Sequence, residues 1–148
     1  MASIDIGSLS VLTLLADDDL GPVQDALDAA SFQVFTLDGA SVGDEASFFA
    51  AALAGLPVPA GAQADGFDAL RDHIRVGLAE IEATDVAFVW RHADAMLAGG
   101  LATLIDAVEC FVSLSRQVNS PAATNFPRRI RLLTFLTGTG PNFPSLLA

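Results

Sequence analysis

Two aspartates four residues apart, Asp68 and Asp72, stand at the start of the most regular amphipathic segment of the chain. On a helix, positions i and i+4 share one face a single turn apart, so the two carboxylates address the same side. Like charges at that spacing repel slightly, and the helix gains nothing from the pair. Asp68 falls in the first turn, where the helix dipole favours an acid, and Asp72 lies beyond it. Arg71 and Arg75 each follow one aspartate by three residues and are placed to neutralise it. Two uses fit this pattern: a solvated face of ion pairs, or a row of carboxylates offered to a basic partner. Asp65 and Gly66 precede the helix and share its approach.

The remaining reactive side chains point to less. His73 lies in the middle of the same helix and His92 follows Trp90-Arg91 at the end of an apolar run, so no motif joins them. Metal ligation and general-base catalysis are therefore not expected of either histidine. Asp17, Asp18 and Asp19 could attract a hard cation, but such sites need ligands converging from several directions. Their expected role is a solvated helix entry. Cys110, the single cysteine, excludes an internal disulfide framework and sits in an apolar periodic segment, as a small core residue does. No Gly-rich nucleotide loop, nucleophile elbow or metal-spaced His/Cys cluster occurs. Gly138-Thr139-Gly140-Pro141 is read as a turn. No catalytic residue, metal or cofactor is expected, and the chain is not read as an enzyme.

Charge narrows the partner. Of a net charge of −11, all belongs to residues 1–74, which carry twelve acids and one base; residues 75–148 carry six of each. Phosphate binding needs a clustered basic surface, so nucleic acid is a poor partner. A basic macromolecule is a better one, because complementary fields speed and orient encounter. An acidic surface that only maintains solubility is the other reading. Hydrophobic residues at 52% and charged residues at 17% exclude a disordered chain of 148 residues. Mean hydropathy is +0.50, yet the uncharged stretch from Ala46 contains Gly55, Pro57, Pro59 and Gly61, against a membrane span. With Asp5 where a secretory leader wants positive charge, the expectation is a soluble, cytoplasmic protein. The oligomeric state is not readable.

These side chains need elements to position them. Ser10–Leu15 reads as a strand or the start of a helix. Val23, Ala26, Leu27 and Ala30 define a short helix with Pro22 in its first turn. Phe32–Leu37 reads as a strand ending in the Asp38-Gly39 turn. Asp44 caps a helix with Phe48, Phe49, Ala52, Leu53 and Leu56 inward, closed by Gly55 and Pro57. A Pro, Gly and Ala loop leads to Asp65, placed as the cap of the helix whose stripe is Phe67, Leu70, Ile74, Leu78 and Ile81. Val86–Trp90 is uninterrupted and apolar, as in a strand buried on both faces. A helix over Leu101–Leu114 turns Leu101, Leu104, Ile105, Val108, Phe111 and Val112 inward. Asn119–Pro127 is a loop, Ile130–Leu136 a final strand, and Gly138 onward a tail. Strands alternating with helices give an α/β fold with a small parallel sheet.

The segment Phe67-Asp68-Ala69-Leu70-Arg71-Asp72-His73-Ile74 resembles the central helix of the barstar family, intracellular inhibitors of barnase-type ribonucleases. The neighbouring pieces agree in order: Phe35-Thr36-Leu37-Asp38-Gly39-Ala40 with the first strand and turn, Asp44–Leu56 with the first helix, and Val86–Trp90 followed by Arg91 with the second strand. The helix at 101–114 and the strand at 130–136 complete a likeness over about residues 32–137. It implies a single-domain, three-layer barstar-like fold with a parallel three-stranded sheet. Residues 32–148 would form that domain and residues 1–31 an extension packed on it.

The resemblance also implies a function. A loop and the central helix of such inhibitors plug a ribonuclease active site, with aspartates in place of substrate phosphates. By position, Asp68 and Asp72 would be those carboxylates, with Asp65, Gly66 and Arg71 beside them. The implied partner is a basic ribonuclease or related nuclease toxin. Glu109 is the residue nearest to the family's acidic contribution from its last helix, and the likeness does not assign it. The chain departs from the pattern in lacking any tyrosine, in the plain loop Ala62-Gln63-Ala64-Asp65-Gly66, and in Arg71 where an apolar residue is usual. Those departures leave a second expectation, a barstar-like interaction module that no longer binds a ribonuclease.

Overall fold

The computed structural model describes residues 4–120 and 126–145. Along them run β1 (Leu12–Ala16), α1 (Leu20–Ala29), β2 (Gln33–Asp38), α2 (Glu45–Gly55), α3 (Phe67–Glu80), β3 (Asp85–Arg91), α4 (Leu101–Asn119) and β4 (Arg131–Gly138). The strands form one sheet in the order β1-β4-β3-β2, every pairing parallel. This corrects the expected count of three strands. Leu12–Ala16 pairs with β4 from Leu12 opposite Thr134 to Ala16 opposite Gly138. From Leu132 to Gly138 β4 is buried throughout, and a strand so enclosed cannot leave one edge of N–H and C=O groups without partners.

The apolar run of β3 is divided between two cores. Val86, Phe88 and Trp90 face α2, α3 and α4, whereas Ala87 and Val89 face Val23 and Leu27 of α1. Side chains alternate along a strand, so an unbroken apolar sequence requires cover on both faces. Three layers result: α1, the sheet, and the group α2–α3–α4.

Local chemistry fixes the helices. The Asp44 carboxylate accepts from the Ser47 backbone N–H at 2.8 Å and the Ser47 hydroxyl at 2.6 Å. In return the Asp44 N–H donates to Ser47 Oγ at 3.1 Å, which completes a capping box. The Ser47 hydroxyl, then its backbone N–H, holds the Asp44 carboxyl below its ordinary value of 3.8. Because the folded value is the lower one, this stabilisation is complete above 3.8 and disappears as pH falls through the folded value. Asparagine also caps well but does not titrate. The wild-type chain is therefore expected to lose more stability than Asp44→Asn on acidification, as urea unfolding of both at neutral and acidic pH will read. Equal losses would remove the cap as the cause.

α3 lies close to the chain that follows α2. A Cβ on Gly77 would strike the carbonyl of Pro57, so only glycine fits that contact. At the far end Arg128 donates to the carbonyls of Leu78 at 3.0 Å, Ala79 at 3.3 Å and Ala83 at 3.0 Å. A guanidinium there satisfies carbonyls left over at a helix C-terminus and suits its dipole.

Three further expectations are corrected. Asp65 is not the cap of α3; Gly66 is, in an extended conformation and with no side-chain cap bond. The helix begins one residue later than the aspartate would require. The inward stripe of α4 is also rotated. Leu104, Ala107, Phe111, Leu114 and Val118 are buried, but Leu101 is 51% and Ile105 54% exposed. The small side chains of Ala107 and Cys110 lie on its buried side, which turns Leu101 and Ile105 outward. Finally, residues 139–145 are not a free tail. Phe143 is buried in the larger core, and the Pro144 carbonyl accepts from the Ala16 N–H at 3.1 Å. Within the expected loop at 119–127, residues 121–125 lie outside the described residues.

Candidate functional site

The N-terminal half of α3 and one side of α4 form the walls of an open groove of about 870 Å³. Phe67, the first residue of α3, packs its ring against Phe49 at 4.9 Å and Phe48 at 5.7 Å between centroids. The preceding loop is tied to the same helix, since the His73 Nε2–H donates to the Gln63 carbonyl at 2.8 Å. That bond gives His73 a structural task.

Four of the five expected site residues share this groove: Asp65, Gly66, Asp68 and Arg71. Asp72 does not line it. It is exposed one turn further along α3, beside a separate depression bounded by Arg75, Val76, Ala79, Phe126 and Pro127. Arg75 rests over the Phe126 ring at 5.9 Å. Asp68 is not free either: its Oδ1 accepts from Arg71 Nη2 at 2.9 Å, with Asp68 93% exposed and Arg71 31% exposed. An exposed pair of this kind contributes little to folding. Its consequence is local, because it cancels one carboxylate of the surface that faces outward.

The opposite wall supplies charges that sequence reading did not assign. Asp106, Glu109 and Arg116 of α4 line the groove with Val108, Val112 and Ser113. Their signal is a polar stripe at i, i+3 and i+10, which becomes readable only when the phase of α4 is known. Four carboxylates therefore surround two guanidiniums, and the groove is acidic without being uniformly so. Cys110 lies at its base, buried, with its thiol pushed up to about 11 by burial, an effect that Arg71 opposes and Asp68 reinforces. A thiol held protonated in this way is a poor nucleophile.

This arrangement suits recognition. It presents charges on two helices, the start of α3 and one side of α4, and a basic protein surface of matching shape would find carboxylates on both sides. Among the described residues no helix is long and apolar enough to cross a membrane. The family model described as Barstar (barnase inhibitor) matches residues 32–132. Comparison with curated proteins and with solved structures gives no match.

Proposed function

The chain belongs to the barstar family, and we propose that it is a cytoplasmic, immunity-type inhibitor of a basic extracellular ribonuclease or related nuclease toxin. The observation that carries this reading is a set of exposed carboxylates around α3: Asp65 and Asp68, which share a groove with Asp106 and Glu109 of α4, and Asp72 one turn further along, outside it. In the reading, these groups occupy positions that substrate phosphates take in a nuclease cleft lined by lysine, arginine and histidine. Each buried carboxylate then meets a cation, which is the condition for burying either one. The net charge of −11 adds long-range attraction, so association should slow steeply as salt is raised. The protein acts by occlusion, and none of its own side chains performs a chemical step.

One observation favours a second reading, an interaction module that has lost ribonuclease binding. The Arg71 guanidinium, 2.9 Å from Asp68, presents positive charge where a basic enzyme would have to dock. Calorimetric titration against a barnase-type ribonuclease, with RNA cleavage followed in parallel, separates the two. The inhibitor reading expects one-to-one binding that abolishes cleavage and weakens with salt. No heat and no inhibition at micromolar concentrations would remove that enzyme as the target and leave the module reading.

A further inference from the structure

The aspartate run after β1 lacks, in sequence, the converging ligands a cation needs. The fold supplies them for Asp17. β1, β4 and β3 are successive neighbours running in one direction, so their carboxyl ends open on the same edge of the sheet. Asp17 follows β1 directly, His92 follows β3, and Asp94 comes two residues later. One ligand atom from each, two carboxylate oxygens and an imidazole nitrogen, lies within 4.8 Å of the others. The edge beyond the carboxyl ends of parallel strands is where α/β sheets bind ligands.

The geometry leaves room between these groups. His92 Nδ1 and Asp17 Oδ2 are 3.9 Å apart, too far for a hydrogen bond. Tetrahedral zinc, with bonds of about 2.0–2.2 Å, holds its nitrogen and oxygen ligands about 3.3–3.6 Å apart, so these two atoms need approach by only a few tenths of an ångström to share one ion. An ion between them would touch both without parting the strands. Asp94 is held in place from behind. Its Oδ2 accepts from Thr139 Oγ1 at 3.1 Å, the kind of outer contact that orients a ligating carboxylate. Its side chain also fills the space left by Gly138, where a Cβ would come within 2.8 Å of Oδ1. Among the described residues, Asp17 and Asp94 have no ion pair with an arginine. All three side chains are half-buried, close enough to solvent for an ion to enter and for water to complete its coordination.

We propose that Asp17, His92 and Asp94 bind one divalent transition-metal ion of the zinc class, which fastens the carboxyl end of β1 to that of β3 across β4. One imidazole with two carboxylates suits zinc better than magnesium or calcium, which favour oxygen-only sets. The inference is independent of the inhibitor reading, because the site lies outside the α3–α4 groove.

The test is calorimetric titration of zinc chloride into the full chain after dialysis against chelator, with the thermal midpoint followed alongside. Saturable one-to-one uptake and a midpoint that climbs with zinc concentration are expected. His92→Gly retains the left-handed backbone at that position (φ 56°), and Asp94→Asn retains the side-chain shape. Each should weaken zinc binding at least about tenfold while leaving the metal-free midpoint near that of the wild type. His73→Gln should bind as the wild type does. No uptake up to millimolar zinc would overturn the proposal, as would uptake that survives both substitutions. Equal uptake of magnesium, unaffected by His92→Gly, would show only an acidic surface attracting cations and would overturn it equally.

Discussion

Replacing Phe48 by alanine is expected to lower the free energy of unfolding by about 3–5 kcal/mol. The ring is fully buried and lies where four elements meet. It contacts Phe49 of its own helix at 5.8 Å, Phe67 of α3 at 5.7 Å, Trp90 of β3 at 5.0 Å and Phe111 of α4 at 6.3 Å between centroids. Truncation removes the transfer free energy of a phenyl group and leaves a cavity that four rings, fixed from different elements, cannot jointly close. Aromatic pairs add about 0.5–1.5 kcal/mol each beyond area burial. Against a typical domain stability of about 5–15 kcal/mol, the loss is a large fraction of the whole. Urea unfolding followed by the fluorescence of Trp90, the single tryptophan, reads it directly. A loss below about 1 kcal/mol, at the scale of an ordinary substitution, would mean that the cluster repacks around the vacancy. The effect reaches the groove as well. Phe67 anchors the start of α3 on Phe48 and Phe49, so the folded fraction of the variant should also bind its partner less well.

On the proposed inhibitor reading, Asp72→Ala is expected to weaken binding to a ribonuclease by about 2–5 kcal/mol, a range that the family's own barnase–barstar complex helps to set. That corresponds to a loss of roughly thirty-fold to several thousand-fold. Asp72 carries this expectation because it is exposed and no basic side chain forms a salt bridge with it among the described residues. Asp68 differs. Its carboxylate is already engaged by Arg71 at 2.9 Å, so Asp68→Ala in the wild-type background should cost less than Asp72→Ala. Arg71→Ala should release that carboxylate and tighten binding, and in the Arg71→Ala background the cost of losing Asp68 should grow. None of these exposed charges contributes more than about 1 kcal/mol to folding, so changes in affinity can be separated from changes in stability by melting the free variants. If the ribonuclease binds the wild type and Asp72→Ala alike, within twofold, the central-helix aspartates are not the plug.

Much of the fold was legible because its signals are local. The Asp44 cap followed by Phe48, Phe49 and Ala52 states a helix in eleven residues, and α2 spans Glu45–Gly55. The unbroken run Val86–Trp90 requires a strand covered on both faces, and β3 has that cover. The resemblance through Phe67–Ile74 and Trp90-Arg91 reached the family for the same reason, since a motif on one helix needs no knowledge of its neighbours.

What the sequence could not decide depends on phase and pairing. Leu101 and Ile105 are no less apolar than Leu104 and Phe111, and only the placement of α4 on the sheet turned the first two outward. The same rotation carried Asp106 and Glu109 to the groove, where they face Asp65 and Asp68. Ser10–Leu15 held no local sign of a partner until β4 presented an edge with both faces buried. Asp17 and His92, far apart in the chain, meet because parallel strands bring their carboxyl ends to one edge. Sequence by itself determined most of the elements, the charge and the family, because periodicity and short motifs act over a few residues, whereas the fourth strand and the cap of α3 waited for the fold. Tertiary structure alone decided which side chains face one another, because that is set by packing and strand register between distant segments.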